Sequence, residues 1–414
     1  MKHLDVWAWG KKIGTIAQTG NRIAFELEDE SYKYFSPLTF EHRSSIYTSV
    51  ESDGSIDKIG LIADALPGKY GKEYLDSYFI DEFGKKPSII DRLAFVGSHG
   101  LGALEFQPSS GASDINADLI LSLEELRMKS RKVHDGEHDI ELSKLIAVSN
   151  SAAGGAKAKA VVGFNPENSK IHIGQKHEEE PEGFKKCIIK FNSKDGVAAD
   201  EQIQEIRSEY VYYLMAKKAG IIMSDSWLAG EGLEQCFVTE RFDIQDGDRM
   251  HMHSLAGIFN HDASSFTMGY ESLLRAANML AIPQEGKVQA FKTMLFNLVF
   301  SNRDDHSRNF SFLMDRHNNW QYAPAYDLTF SVHNHGTNWH QMTLNKRPMH
   351  QAREISIKKV AKIINVDNPL DILKDMIAIK HDYLEKLFRE YNIDSSISNQ
   401  IMKSTKEIDD RFGD

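Results

Sequence analysis

The sequence predicts an α+β fold, with strands in the first half of the chain and mostly helices in the second. Residues 3 to 30 alternate apolar and polar side chains between turn residues, which is typical of β-hairpins. The short apolar runs Cys187–Phe191 and Gln235–Glu240 have the composition of buried strands. Beyond residue 250, apolar residues recur at helical spacing, most regularly over 371 to 391. These observations predict a β-rich module, a sheet-based middle segment and a helical end.

The composition is that of an ordinary globular protein with room for two or three domains. The 414 residues are 41% hydrophobic and 26% charged, and 49 Lys and Arg stand against 60 Asp and Glu, a net charge of -11. This acidic balance does not favour a free-standing nucleic-acid binder. A basic patch or a basic partner would have to make such contacts.

The cysteines and the N-terminus predict a cytoplasmic protein. Cys187 and Cys236 lie far apart in apolar runs, so we expect buried thiols in a reducing compartment instead of a disulfide. The first residues contain no apolar signal core, and no run of 18 apolar residues occurs in the chain. We therefore expect neither secretion nor a membrane span.

The first module is predicted to cover residues 1–110 and to end in a glycine turn. Gly97, Gly100 and Gly102 precede the strand-like run Ala103–Phe106. A dinucleotide-binding fingerprint would open a helix, whereas these glycines enter a strand, so we predict a tight turn without a ligand.

A connector is predicted over residues 111–140. Its start is rich in Ser and Gly, a charged helix is predicted around Leu119–Arg131, and its end is polar. Such a composition is common at a domain boundary.

A run of small residues, Ser149–Val162, follows the connector. Paired glycines allow a backbone to approach a phosphate closely, and successive N–H groups can bind its oxygens. The run matches neither of the common phosphate-loop patterns. Taken alone, it is better described as a flexible surface loop.

Lys190 is unusual because it lies within an apolar strand, where an isolated charge is costly to bury. A buried lysine needs an anionic partner, such as a phosphate together with a glutamate. Glu209 is the candidate glutamate, on a predicted helix whose apolar stripe includes Ile203 and Ile206. The alternative is an edge-strand lysine whose ammonium group reaches water.

The most specific pattern is Asn302-Arg303-Asp304 followed, after four intervening residues, by Asn309, with Tyr326-Asp327-Leu328 further on. Protein kinases have H-R-D-x-x-x-x-N followed by D-F-G at the corresponding places. In that chemistry one Asp accepts the proton of an attacking hydroxyl, while an Asn and a second Asp hold Mg²⁺ against nucleotide phosphates.

The flanking patterns support a kinase. Apolar residues at helical spacing over 288 to 299 predict a helix before the loop, and 310 to 313 and 320 to 322 predict a hairpin around a polar turn at 315 to 319. Asp304, Asp305 and His306 alone would be read as a solvated turn. The joint spacing favours a two-lobed protein-kinase-like fold, with a sheet-based nucleotide lobe over 141–245 and a helical lobe over 246–414.

The chain also resembles a known family over nearly its whole length. The residues that carry the resemblance are Gly102–Phe106, Gly154–Ala160, Ile188–Lys190, Thr239–Asp243, Asp304–Asn309 and Ala323–Leu328. Together they are similar to the HipA family, bacterial toxin serine/threonine kinases of type II toxin-antitoxin pairs. Many relatives have G-A-R-P-K-A where this chain has Gly155–Ala160. That stretch is therefore less specific than Asp304–Asn309 and Ala323–Leu328.

The resemblance implies a role for each matching residue. Asp304 would be the catalytic base, Asn309 and Asp327 the Mg²⁺ ligands, and Lys190, supported by Glu209, the lysine that binds the ATP phosphates. The implied nucleotide-binding residues also include the backbones of Glu240 and Phe242 at the adenine and a loop over the phosphates formed by Ala152, Ala153, Gly154, Gly155, Ala156 and Lys157. Relatives autophosphorylate a serine just before this loop, and Ser151 matches best, with Ser149 as the alternative.

The resemblance also implies partners. Family members usually pair with a small helix-turn-helix antitoxin, HipB-like, that binds operator DNA, so contact with DNA would be indirect. In the best-known relatives the phosphorylated protein is an aminoacyl-tRNA synthetase.

Two other functions fit parts of the sequence. A metal-dependent phosphohydrolase could use Asp304, Asp305, His306 and Asp327 with His333, His335 and His340, although the irregular spacing of the last three favours a surface loop. A pseudokinase could act only as a co-repressor. Metal binding without nucleotide would favour the hydrolase, and an Asp304→Asn change without effect would favour the pseudokinase.

Overall fold

The computed structural model describes residues 2–40, 44–110, 119–134, 158–173, 180–192, 196–261, 268–331 and 339–413. These residues group into two compact units. The first contains Met1–Ile203, Trp227–Asp262 and Leu313–Asn319, and the second contains Gln204–Ser226, Ala263–Phe312 and Trp320–Asp414.

The first unit begins with a six-stranded antiparallel sheet in the order β5-β4-β3-β2-β1-β6. Its strands are β1 Lys2–Ala8, β2 Lys11–Thr19, β3 Arg22–Leu27, β4 Ile46–Ser52, β5 Ser55–Ile56 and β6 Leu104–Gln107. Apolar residues such as Val6, Ile16 and Phe25 are fully buried on one face, because side chains alternate along a strand. The two hairpins predicted for residues 3 to 30 are confirmed, with Gly10 and Gly20 in the left-handed conformation at their turns.

Three helices and a 3₁₀ turn accompany this sheet. They are the 3₁₀ turn Glu30–Phe35, α1 Gly60–Ala63, α2 Lys69–Phe83 and α3 Ile89–Val96. The predicted glycine turn before β6 is also present: Gly97 and Gly102 have positive φ, and the Gly102 N–H donates to Asp243 Oδ2 at 2.7 Å. The Gly102 amide is in a turn and has no strand partner, so the Asp243 carboxylate supplies the hydrogen bond that a buried backbone N–H needs.

A second six-stranded sheet has the order β11-β12-β10-β8-β9-β7. Its strands are β7 Leu119–Leu121, β8 Lys159–Asn165, β9 Lys170–Ile173, β10 Lys185–Phe191, β11 Ser226–Ala229 and β12 Cys236–Glu240. One face is apolar and packs Val162, Ile189 and Val238 against Leu75 of α2 and Phe95 of α3. The opposite face carries the polar side chains described below.

The predicted connector contains both a helix and a strand. A helix, α4 Leu123–His134, is present, but the prediction was wrong for Leu119–Leu121, which form β7 and pair with β9. Cys187 and Cys236 are buried free thiols, as predicted, and burial raises the pKa of both. The remaining first-unit elements are the 3₁₀ turn Gly232–Glu234, β13 Ile244–Gln245, β14 Asp248–Arg249, β15 His251–Ser254 and a short helix Leu255–Ile258.

The second unit is mainly helical. The long helix α5 Val197–Lys218 lies mostly in this unit, whereas the short α6 Leu255–Ile258 lies in the first. The other helices of the second unit are α7 Tyr270–Met279, α8 Gln284–Val299, α9 Glu354–Ala361, α10 Pro369–Glu390 and α11 Ser395–Phe412. Its other elements are β16 Ser311–Met314, β17 Trp320–Tyr322, β18 Thr343–Leu344, β19 Arg347–Pro348 and 3₁₀ turns at Ser307–Asn309, Met349–Gln351 and Lys362–Ile364. The helix predicted over 288 to 299 and the hairpin around 315 to 319 are therefore confirmed. No helix in the described ranges is long and apolar enough to cross a bilayer.

Candidate functional site

The loop that carries Asp304 begins where α8 ends. Phe291, Met294 and Leu298 on α8 are buried, which fixes the helix in the core of the second unit. Ser301 has a φ of +54°, a left-handed residue that ends the helix, and the Asn302 N–H then donates to the Asn297 carbonyl at 3.1 Å. The change from apolar to polar sequence at Ser301 is thus the point at which the chain leaves the helix.

Asp304 has a carboxylate that is 43% exposed. His306 Nε2 lies 3.8 Å from Asp304 Oδ1. The Asp304 backbone carbonyl accepts a hydrogen bond of 2.7 Å from Asn309 Nδ2. The backbone is held while the carboxylate faces solvent, an arrangement suited to a group that accepts a proton from an incoming hydroxyl.

Asn309 is largely buried, and its two amide atoms have different surroundings. Nδ2 donates to the Asp304 carbonyl, whereas Oδ1 is buried with no hydrogen-bond partner among the residues that the structure describes. An unsatisfied buried acceptor costs about 1–3 kcal/mol. An amide oxygen is a ligand that Mg²⁺ accepts, so Asn309 fits the predicted metal ligand.

Asp327 follows the hairpin and has a φ of +52°. Left-handed backbone is uncommon for a residue with a side chain, although Asp tolerates it better than most. Its neighbours hold the backbone: the Tyr326 hydroxyl donates to the Arg308 carbonyl at 2.7 Å, and the Ala325 N–H donates to the Ile222 carbonyl at 2.8 Å. Backbone strain that the surroundings maintain is common at functional sites.

Asp305 differs from its neighbour Asp304 because its side chain is fully buried. Its carboxylate accepts hydrogen bonds from the Gln341 N–H at 2.6 Å and from His340 Nδ1 at 3.0 Å. Nδ1 of His340 is therefore occupied by its hydrogen bond to Asp305. No group of three His, Cys, Asp or Glu side chains in the described parts of the chain is arranged to hold a metal ion, and His333 and His335 of the hydrolase alternative lie outside those parts.

Lys190, Glu240 and Phe242 lie in the first unit, whereas Glu209 lies on α5 in the second with the loop residues. Lys190 is buried on the polar face of the second sheet, and its Nζ lies 6.0 Å from the centre of the Phe237 ring. Glu240 accepts a hydrogen bond of 2.9 Å from Lys185, near the surface, and Glu209 is buried. The snorkelling alternative for Lys190 is wrong, because β10 is an interior strand and the lysine is buried.

Lys159 is a residue of this polar face that the sequence analysis did not single out. It is the direct cross-strand partner of Lys190 and is also buried. Two lysines on one face could have been found from the pattern alone, since each begins or interrupts an apolar strand. The predicted loop Ala152–Lys157 and the serines Ser149 and Ser151 lie outside the described residues.

An α+β structure with these loop residues belongs to the class of kinase-like folds. A family model described as the HipA N-terminal domain matches residues 4–107, and one described as the HipA-like C-terminal domain matches residues 151–387. Because the second model alone covers more than half of the chain, the protein belongs to the HipA family.

A solved HipA structure shows the same fold. HipA of Shewanella oneidensis MR-1, in a structure described as a toxin-antitoxin system of HipA, HipB and operator DNA, is 15% identical, with a TM-score of 0.66 over 99% of this chain and 96% of that one. The Helicobacter pylori proinflammatory kinase CtkA is 13% identical, with a TM-score of 0.32 over 54% of this chain and 91% of that one. No curated protein sequence matches the chain.

Proposed function

We propose that this protein is an ATP-dependent serine/threonine protein kinase and the toxin of a toxin-antitoxin pair. The observation that carries the proposal is the arrangement at Asp304 and Asn309. Asp304 has a partly exposed carboxylate, and Asn309, whose Nδ2 donates to the Asp304 backbone carbonyl, has a buried amide oxygen without a hydrogen-bond partner in the described structure. This pair supplies the two functions that the D-x-x-x-x-N spacing requires, a proton acceptor and a metal ligand.

In the proposed reaction a serine or threonine hydroxyl oxygen forms a bond to the γ-phosphorus of ATP. The bond from that phosphorus to the β–γ bridging oxygen breaks and releases ADP, and the hydroxyl proton passes to Asp304. Asn309 and Asp327 would hold Mg²⁺, which when bound neutralises charge on the phosphates. Lys190, supported by Glu209, would bind the phosphates, so that catalysis rests on positioning and electrostatic stabilisation.

The nucleotide contacts complete the proposal. The backbones of Glu240 and Phe242 would bind adenine, and the loop Ala152–Lys157 would cover the phosphates. These roles correspond to a four-part chain: a module over 1–110, a connector over 111–140, a nucleotide lobe over 141–245 and a catalytic lobe over 246–414.

The family and the described content of the Shewanella complex support the proposed partner, and the family resemblance suggests the class of substrate. A HipB-like helix-turn-helix antitoxin would bind the protein and carry it to operator DNA. The net charge of -11 supports this indirect route, since an acidic protein is repelled by phosphates. Aminoacyl-tRNA synthetases are the first class of substrate to assay.

The test is mass spectrometry of the intact protein and its peptides after incubation with Mg²⁺ and ATP, beside an Asp304→Asn control. A phosphate on Ser151 or Ser149 that the control lacks would support both the activity and the base. Nucleotide binding without phosphate transfer to itself or to candidate proteins would favour the pseudokinase. Mn²⁺ or Zn²⁺ binding without nucleotide binding would favour the hydrolase.

Autophosphorylation is expected to silence the enzyme through Ser151. A phosphate adds about −1.5 to −2 charges beside a loop that binds anions, so it would compete with nucleotide phosphates. Ser151→Ala is expected to keep its activity during ATP incubation, while the wild type loses activity over the same time. An unchanged rate of inactivation in Ser151→Ala, with Ser149→Ala protected, would transfer the role to Ser149.

A further inference from the structure

A chain of side-chain hydrogen bonds lies beneath the Asp304 loop, in the interior of the second unit. Asn302 Nδ2 donates to Asn297 Oδ1 at 2.9 Å, and Asn297 Nδ2 donates to the Tyr270 hydroxyl at 3.0 Å. The Tyr270 hydroxyl in turn donates to Asp305 Oδ2 at 2.7 Å. Every bond therefore runs in one direction, from an amide at one end to a carboxylate at the other.

Both ends of this series of hydrogen bonds lie in the loop that carries Asp304. Asn302 and Asp305 flank Arg303 and Asp304, so the hydrogen bonds leave the loop on one side of the base and return to it on the other. Asn297 lies on α8 and Tyr270 is the first residue of α7. Two core helices therefore support the four-residue segment that contains Asp304.

Burial makes these bonds costly to lose. Asn302, Asn297, Tyr270 and Asp305 are all buried, with at most about one hundredth of each residue exposed. Burial and the carboxylate of Asp305 raise the pKa of Tyr270 well above its ordinary value, so its hydroxyl keeps the proton that it donates. Connected hydrogen bonds between buried groups hold those groups in place, and the loss of one member leaves its buried partners unsatisfied.

Asp305 extends the network to a third segment. Besides Tyr270 it accepts hydrogen bonds from the N–H groups of Gln341 and Met342, at 2.6 and 3.4 Å, and from His340 Nδ1. With these donors its carboxylate is held in one place. Asp304 next to it is fixed through its backbone, although its own carboxylate stays exposed.

We propose that Tyr270 is a positioning residue for the catalytic base, acting through Asp305 and, by way of Asn297, through Asn302. The inference rests on the proposed kinase function, because it assigns Tyr270 a part in placing Asp304. Tyr270 is fully buried, so its proposed role is indirect: it holds the loop so that the Asp304 carboxylate stands at the right distance from the attacking hydroxyl. A misplacement of 1 Å at a reacting group can cost about 100-fold in rate.

The test uses Tyr270→Phe in the full-length protein, which removes one oxygen and leaves the ring. We expect kcat for phosphoryl transfer to fall about 10- to 100-fold, while KM for ATP changes less than about twofold, since only the placement of the base changes. Asn302→Ala, at the start of the same series of hydrogen bonds, is expected to show the same selective loss of kcat. It replaces Tyr270→Phe as the test variant if Tyr270→Phe fails to fold. The double variant should lose little more than the more impaired single variant, because both remove one connected unit.

Tyr212→Phe is the matched control. Tyr212 is also a fully buried tyrosine of the second unit, and its hydroxyl donates to the Phe300 carbonyl at 2.7 Å, outside the chain of bonds that reaches Asp305. Its loss is expected to lower Tm without a selective loss of kcat.

Three outcomes would overturn the inference. Tyr270→Phe could keep full kcat, it could lose kcat only to the extent that Tyr212→Phe does, or it could lose nucleotide affinity and kcat in proportion. A wild type without phosphoryl transfer would instead overturn the proposed function, and the inference with it. Active wild type with an inactive Asp304→Asn separates the two cases.

Discussion

Two buried clusters of histidine and carboxylate, one in each unit, use similar residues in opposite ways. In the first unit, His253 Nδ1 donates to Asp64 Oδ2 at 2.6 Å, and Ser36 Oγ lies 2.9 Å from His253 Nε2. Serine, histidine and aspartate in this order are the arrangement of many nucleophilic enzymes. In the second unit, His340 is bound to Asp305 and an exposed Asp304 stands beside it.

The two clusters differ in their exposure to solvent and in whether they contain a buried polar atom without a hydrogen-bond partner. Ser36 is completely buried, and its Oγ also bonds to Thr39 Oγ1 at 2.6 Å. Asp64 accepts two further bonds of 2.7 Å from the N–H and hydroxyl of Ser254. This cluster is closed, in the sense that its polar groups are buried and bonded to one another. It stabilises the contact between the end of the 3₁₀ turn Glu30–Phe35 and β15. The loop cluster keeps an exposed carboxylate and the buried Asn309 oxygen without a partner in the described structure, so residue types alone do not distinguish a site from a structural network.

The largest expected effect is on the rate of phosphoryl transfer in Asp304→Asn. Removal of a general base costs about 10²- to 10⁴-fold, so kcat should fall by that factor. The side chain is partly exposed, so Tm should change by less than about 2 °C, since surface substitutions usually stay within about 0.5 kcal/mol. Kinetics and a thermal melt on one preparation check both parts. A variant that melts early would show that Asp304 also belongs to a structural network and would break the comparison.

An intermediate effect is expected on the pH dependence of stability, through His251, whose ring centre lies 5.7 Å from that of His253. Burial, and then the neighbouring His253, lower the pKa of His251 to about 3, and its Nε2–H donates to the Phe35 carbonyl at 2.9 Å. The unfolded chain binds a proton near pH 6.5, which the folded protein takes up only near pH 3. The free energy of unfolding should therefore fall as pH drops from 6.5 towards 3, by up to about 1.4 kcal/mol per pH unit from this group.

Urea unfolding between pH 7 and pH 5 measures this slope. His251→Leu should flatten the curve by about one proton, with His253 and Asp64, which face the same site, unchanged. Met250→Ala, a change at a buried neighbour without a titrating group, should lower stability equally at every pH. Equal slopes in wild type and His251→Leu would show that His251 does not resist protonation.

The smallest effect is expected at Ser36. A fluorophosphonate probe for activated serines should leave Ser36 unlabelled in the folded protein, because the hydroxyl is buried. Ser36→Ala should cost about 1–3 kcal/mol of unfolding free energy, since the partners of the hydroxyl stay buried, and kinase activity should be kept. If Ser36 were labelled, and the label were lost in His253→Ala, the Ser36 hydroxyl would be accessible and activated by His253. The two clusters would then not differ in their exposure to solvent.

Local patterns predicted what is local in the structure. The hairpins of the first sheet, the apolar face of α8 and the turn at Asp315–Asn319 depend on side chains that are close in sequence, and all three are confirmed. The spacing from Asp304 to Asn309 spans a single loop, so it too could be read directly. Leu119–Leu121 was wrongly assigned to a helix because its strand partner, β9, lies about fifty residues away and overrides local preference.

The supporting residues could not be predicted in the same way. Tyr270 reaches Asp305 across 35 positions, and Asp305 reaches Gln341 across 36. Nothing in the sequence distinguishes a carboxylate that is buried and fully bonded from its exposed neighbour, because both lie in one polar run. Only the packing of α7 and α8 beneath the loop separates their roles.

The left-handed backbone at Asp327 narrows the amino acids that this position can accept, independently of any metal. Glycine and asparagine adopt such a φ at little cost, whereas a β-branched residue does so only with strain. Asparagine would keep the backbone and lose the charge, glutamate would keep the charge with a less favourable backbone, and glycine would lose the side chain. Aspartate alone among these meets both demands, so the conformation of the chain and the proposed chemistry select the same residue for separate reasons.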